Sequence, residues 1–228
     1  MESRDLVKEI REALVSSGDA TDFAGSVADL TLDELLNDDF LGKLPIVGWI
    51  IQGKRVYSSI SDHLFLGKMA AFLIQFSKST SSKESVFGQQ LLTDAKTAKR
   101  FSETILFLLS KLDATQKAAV VAELCKLLIN GRIELPQFRR LCYVIDTMFV
   151  DDLLEHGRAH KSILNTTIDG DEEFRTLERH GLMKITETGS SVFRAETNKA
   201  EPCYDGKYTN DGERLHEAVH DVLSKDDN

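Results

Sequence analysis

Proline is scarce in this chain, with three among 228 residues. Long helices therefore meet few breakers. Cysteine is equally rare, and Cys125, Cys142 and Cys203 are too few and too odd in number for a disulfide framework. The first two fall at apolar helical positions, which reads as buried thiols in a reducing compartment. No apolar run reaches the roughly 18–20 residues that a membrane-crossing helix requires. The opening Met1-Glu-Ser-Arg-Asp5 is charged and does not read as a secretory leader, so a cytoplasmic protein is expected. Gly42 and Gly48 are not spaced for a phosphate loop, and no Lys-Ser/Thr pair follows them in register. No Ser/His/Asp or Cys/His set stands out, and no internal repeat recurs at a solenoid period. Positive charge is also in deficit: 28 Lys and Arg face 37 Asp and Glu, a net charge of −9. That balance disfavours nucleic acid as a partner, because phosphates need cations.

Apolar content of 42% and charged content of 29% fit a globular protein. The charge is unevenly spread. Residues 1–39 carry −8, residues 40–100 carry +6, residues 101–170 carry −1 and residues 171–228 carry −6. The basic block coincides with the most apolar stretch, Phe40 to Phe76. Two apolar runs lie there, Phe40–Ile51 and Leu64–Phe76, with Lys54 and Arg55 between them. An apolar surface with a basic rim and a tryptophan suits an anionic membrane surface. Trp49, Lys54, Arg55 and Lys68 are therefore expected to meet such a surface, peripheral to the inner membrane, or a protein partner. The same residues also suit a core or a self-association seam, with the acidic N-terminal arm laid over the basic hairpin.

Apolar periodicity predicts mostly helix. Leu6, Ile10 and Leu14 mark a first helix over 3–16, and Thr31-Leu-Asp-Glu34 is a capping-box pattern. Phe65, Met69, Phe72 and Phe76 share one face of a helix, with Lys68 and Gln75 opposite. Residues 77–85 read as a polar loop, and 89–111 as one long helix. Asp113-Ala-Thr-Gln116 resembles a second capping box, opening a helix that Gly131 ends. Pro136 suits the first turn of the next helix, which carries Phe138, Leu141, Cys142, Ile145, Met148 and Phe149. These two helices are expected to form an αα-hairpin. In the tail, a helix over 171–180 ends at Gly181. Leu182–Thr186 and Ser191–Ala195 read as strands around Thr188-Gly-Ser190, and a last helix closes near Leu223. The expected organisation is an acidic helical arm over 1–39, a helical core domain over 40–160 and a small α+β module over 168–228. The fold class is mainly α.

His216-Glu-Ala-Val-His220 matches H-E-x-x-H, which sets two imidazoles on one helix face with Glu217 as general base of a zinc protease. The neighbours Arg214 and Asp221 are charged where that motif prefers uncharged residues. A third ligand would have to come from upstream, from His180 or Cys203. The competing reading is the exposed face of a helix whose core face is Leu215, Val219 and Val222, and it is the one favoured here. Zinc hydrolysis is the single enzymatic alternative, and no cofactor is expected. Asn130–Phe138 has the spine of a calcium loop, but its ligand positions hold Lys126, Leu128 and Gln137, which cannot hold the ion. His63, His156 and His160 are expected at surfaces or helix ends.

The tail order resembles the end of a winged-helix module, carried by His180-Gly-Leu182 and by Tyr208-Thr-Asn-Asp-Gly212 through Leu215. Its net charge of −6 lacks the basic stripe of a DNA reader and points to a protein partner. In the middle of the chain, Leu44-Pro-Ile-Val-Gly48, Ser58–Phe65 with Lys68, and Leu112–Lys117 followed by the helix pair resemble bacterial helical proteins of the abortive-infection alpha type, over about residues 40–155. The residues themselves favour a non-enzymatic interaction or regulatory protein, with a soluble oligomeric adaptor or a transcriptional-regulator-like protein using the winged-helix-like module as the alternative. The resemblance implies an association with phage response. It transfers no catalytic residue.

Overall fold

Residues 64–76 are apolar apart from Gly67, Lys68 and Gln75, and they lie in helix α1, Ile60–Ser77. In this computed structural model the described residues are 60–77, 86–158, 167–168, 172–194 and 199–224. The acidic arm, the first apolar run, Trp49, Lys54 and Arg55 lie outside them. Backbone contacts divide the chain into two compact units, one reaching to Asp146 and the other spanning Thr147–Leu223. The division falls before residue 150, earlier than the expected end of the helical domain at 160, so the short helix that follows it belongs with the tail.

In the first unit, α2 (Val86–Thr93) and α3 (Ala95–Lys111) replace the single helix expected over 89–111. The break is at Asp94, whose extended backbone and side chain cap α3 by accepting from the Lys96 amide at 3.1 Å. A short carboxylate that competes for backbone N–H groups favours a helix start over a helix interior. Helix α4 (Thr115–Ile129) begins at Ala114, which makes no side-chain cap. Asp113 does not act as the expected cap and instead pairs with Lys117 at 2.7 Å. At the far end Gly131 adopts φ 69°, and the amides of Gly131 and Arg132 donate to Leu128 O and Leu127 O. That is a Schellman stop, as the glycine suggested. Helix α5, Leu135–Thr147, follows with Pro136 in its first turn.

Helix α4 is buried all round from Lys117 to Ile129, the mark of a central core helix. Its most extensive close approach is to α1. Ala70 and Ala71 on one helix and Ala118, Ala119 and Ala122 on the other, all buried, let the backbones come near. The α4–α5 pair expected from the sequence is not among the extensive close approaches. The buried thiols of Cys125 and Cys142 are near enough to influence each other electrostatically, and α1 is the companion of α4. The amphipathic α3 turns in Ala98, Phe101, Ile105 and Leu109. Phe101 links it to α2 through Phe87 (5.6 Å between ring centres) and to α5 through Phe138 (6.2 Å).

The second unit runs α6 (Val150–Arg158), β1 (Thr167–Ile168), α7 (Glu172–Arg179), β2 (Met183–Arg194), β3 (Lys199–Tyr208) and α8 (Asn210–Ser224, the last residue lying beyond the unit). Its antiparallel sheet has the order β1-β3-β2, with β1 only two residues long. The expected strand pair is corrected here. Leu182–Thr186 and Ser191–Ala195 are not partners around a turn at Gly189. Met183–Arg194 is one strand, and its partner is the charged stretch Lys199–Tyr208. Pairing passes from Glu187↔Tyr204 to Ser191↔Pro202, so β2 holds extra residues at Thr188-Gly-Ser190. Glycine in a strand commonly marks such an irregularity, and proline cannot donate to the ladder.

Candidate functional site

The residues that prompted the module reading converge on one junction of the second unit. Helix α7 ends in a second Schellman stop: Gly181 at φ 71°, with the amides of Gly181 and Leu182 donating to Glu178 O and Leu177 O. Leu182 is fully buried. Its carbonyl accepts from the Thr209 amide at 2.9 Å, while the Thr209 hydroxyl donates to Gly181 O at 2.8 Å. The same hydroxyl accepts from the Gly212 amide at 3.1 Å, so Thr209 is the N-cap of α8. Gly212 lies so close to Leu182 O that a Cβ there would collide with backbone. Each residue of Gly-Leu and Thr-x-x-Gly thus has a structural reason to be of its type.

Three rings close the junction. His156 comes from α6, Tyr208 from the end of β3 and His216 from α8. His156 lies in the last turn of α6, one of the two placements expected for it, but is fully buried and not at the surface. Its Nε2 lies 3.2 Å from Gly212 O. A carbonyl only accepts, so Nε2 carries the proton and donates. Its ring stands edge-on to Tyr208, with centres 5.0 Å apart, and to His216 at 5.6 Å. Burial, with His216 beside it, lowers its pKa to about 4, and the bond to Gly212 only partly offsets this. The ring is neutral at physiological pH. Gly157 follows it and lies against Val219 of α8, with no room for a Cβ.

This geometry bears directly on His216-Glu-Ala-Val-His220. His216 is not on an exposed face; it is 3% exposed, beside Tyr208 and His156. His220 is exposed, its ring centre 6.0 Å from that of His216. Glu217, the proposed base, meets the Arg214 guanidinium at 3.1 Å. Arg214, which intrudes on the motif in the sequence, thus engages its carboxylate in the structure. Among the described residues no three His, Cys, Asp or Glu side chains are placed to hold a metal. His180 lies at the end of α7, and the side chain of Cys203 is outside the description.

No family model, curated protein or solved structure matches this chain.

Of the four residues expected at a docking surface, only Lys68 is described. It is buried in α1, and its ammonium donates to Leu112 O at 2.7 Å, facing the corner before α4. Burial lowers its pKa, partly offset by Asp113. Burial also works to raise the Asp113 carboxyl, but the Lys117 ammonium outweighs this and holds it below the usual range. Gln75, expected on the polar side of α1, is buried too. It donates to Glu123, whose carboxylate also takes the Lys126 ammonium at 2.9 Å, and Lys126 donates in turn to Gln75 O. These charged groups hold α1 to α4 from within. The thiols of Cys125 and Cys142 are raised by burial, which leaves them poor nucleophiles. No described helix is long and apolar enough to cross a membrane.

Sequence reasoning missed His156 and Thr209. Thr209 lay inside a motif that was noticed without its mechanism. His156 carried no signal, because the sequence marks no helix over 150–158, which falls in the domain expected over 40–160, and a lone histidine has no period.

Proposed function

We propose that this chain is a non-enzymatic interaction and regulatory protein whose C-terminal unit is a winged-helix-like module that binds protein. One observation carries the reading. The histidine that a hydrolytic site would need, His216, is enclosed in the ring cluster that joins α6, β3 and α8. The presumed base Glu217 is occupied by Arg214. The helix–strand–helix–strand–strand–helix order and the strand order β1-β3-β2 favour the winged-helix likeness. The net −6 of residues 171–228 favours protein over nucleic acid as the partner. A place in phage response rests on the resemblance of residues 40–155 to the abortive-infection alpha type.

Purification of the tagged full chain from its native cells tests this. The expected result is a stoichiometric protein partner, metal well below one ion per chain, and no retention on duplex DNA. A chain recovered alone with one zinc, lost on His220→Ala, overturns it. That substitution is at an exposed residue and spares the packed rings.

A further inference from the structure

The exposed side of α3 carries a stripe that plays no part in the C-terminal unit. Lys96, Arg100, Phe107 and Lys111 follow at steps of four, seven and four residues, which returns each to one side of a helix. All four are exposed, and Phe107 is 60% exposed. The Lys111 ammonium stands 4.6 Å from the centre of the Phe107 ring. Lys99 widens the stripe and reaches Glu103 at only 4.0 Å, both side chains being mostly in water. The helix bears four cations and one carboxylate, a local reversal of sign in a chain of net charge −9. A lone exposed phenylalanine is ordinary. One set among cations on a single helix face fits a segment that offers both carboxylates and apolar side chains. Residues 1–39 offer that combination. They carry −8, and Leu6, Ile10 and Leu14 recur there at helical spacing among Glu2, Asp5, Glu9 and Glu12. The 20 residues 40–59 link them to α1, a tether whose extended reach is at most roughly 66–72 Å. Tethering also gives such a segment a high effective concentration at any face within that reach.

We infer that residues 1–39 dock on the Lys96–Lys111 face of α3 in the same chain, as an intramolecular acidic cover. The inference does not depend on the reading of the C-terminal unit. Zero-length carbodiimide cross-linking tests it, because that reagent joins a carboxylate to a lysine amine only where the two already touch. The full chain is used, as an equal mixture of ¹⁵N-labelled and unlabelled protein. Links from carboxylates of residues 1–39 to Lys96, Lys99 or Lys111 are expected within single chains. They should fall about tenfold between roughly 0.05 and 0.5 M salt, as screening shortens the reach of exposed charges. Arg100→Glu with Phe107→Ala alters two exposed residues while keeping every target lysine, and it should lower the same links by about as much with circular dichroism unchanged. Links between labelled and unlabelled chains would assign the face to a second copy and overturn the inference. Links from the arm only to other lysines, no links at all, or a yield indifferent to the double substitution would overturn it as well.

Discussion

Charged groups inside the helical unit show what a single residue contributes. Glu123 and Lys126 are both buried on α4 and lean on Gln75 of α1. Removing one partner of a buried pair strands the other charge, which costs far more than the pair itself is worth. Glu123→Ala should therefore destabilise the chain by about 3–5 kcal/mol, measured as a lower midpoint of urea unfolding with an unchanged slope. Gly157 makes the opposite case, a position with no spare volume. Alanine there must displace Val219, and overpacking of this kind costs roughly 1–3 kcal/mol. Thermal unfolding of Gly157→Ala reads that loss. Neither position was legible beforehand. Pattern reading sends charge to the surface, and it cannot tell a glycine in a close contact from a glycine in a loop.

Among elements, starts and stops were legible when one residue decided them. Gly131 ends α4 and Gly181 ends α7, both at positive φ. An L-residue with a Cβ is strained there by roughly 1–2 kcal/mol. Gly131→Ala should lower stability by that amount, whereas asparagine, which tolerates this conformation better, should recover part of it; denaturant titration of the two variants checks the order. Helix starts were less legible. Asp94 looked like an interior residue of a long helix, and Asp113 looked like a cap. Which carboxylate caps depends on where the chain turns, and the packing of α3 against α2 and α5 sets that turn. The strands were misread for a similar reason. Lys199–Tyr208 has charges and Pro202 where a strand pattern wants alternating apolar residues. Its partnership with β2 is visible only once both strands are in place.

At the scale of the whole molecule, one source of acid sensitivity lies in the second unit. His156 is neutral when folded, with its pKa lowered from 6.5 to about 4. On unfolding it regains its ordinary affinity for a proton. The unfolded chain therefore binds more protons between those values, and stability rises with pH across that window. The contribution of His156 is complete above pH ~6.5 and is lost as the pH falls toward ~4, on the order of 3 kcal/mol over the interval. His156→Phe removes the titrating ring, so the difference in melting temperature between wild type and variant should shrink steadily from neutral pH to pH ~4.5. A difference that stays constant across that range would mean that His156 is not sequestered as described.

Periodicity, glycine stops and composition were enough to predict a mainly helical chain, the core face of α5 from Phe138 to Ile145 (Phe149, expected to continue that face, lies beyond the helix and is exposed), the end of α4 and a small α+β tail. These are local properties: a period of 3.6 residues, or one residue's freedom at positive φ, acts within a few neighbours. The tertiary structure decided the rest. It paired α4 most closely with α1, drew α6 into the C-terminal unit, turned Lys68 and Gln75 inward, and closed His216 into a packed cluster with Tyr208 and His156. Each of those outcomes depends on which distant surfaces exclude water together, and no short window of sequence contains that information.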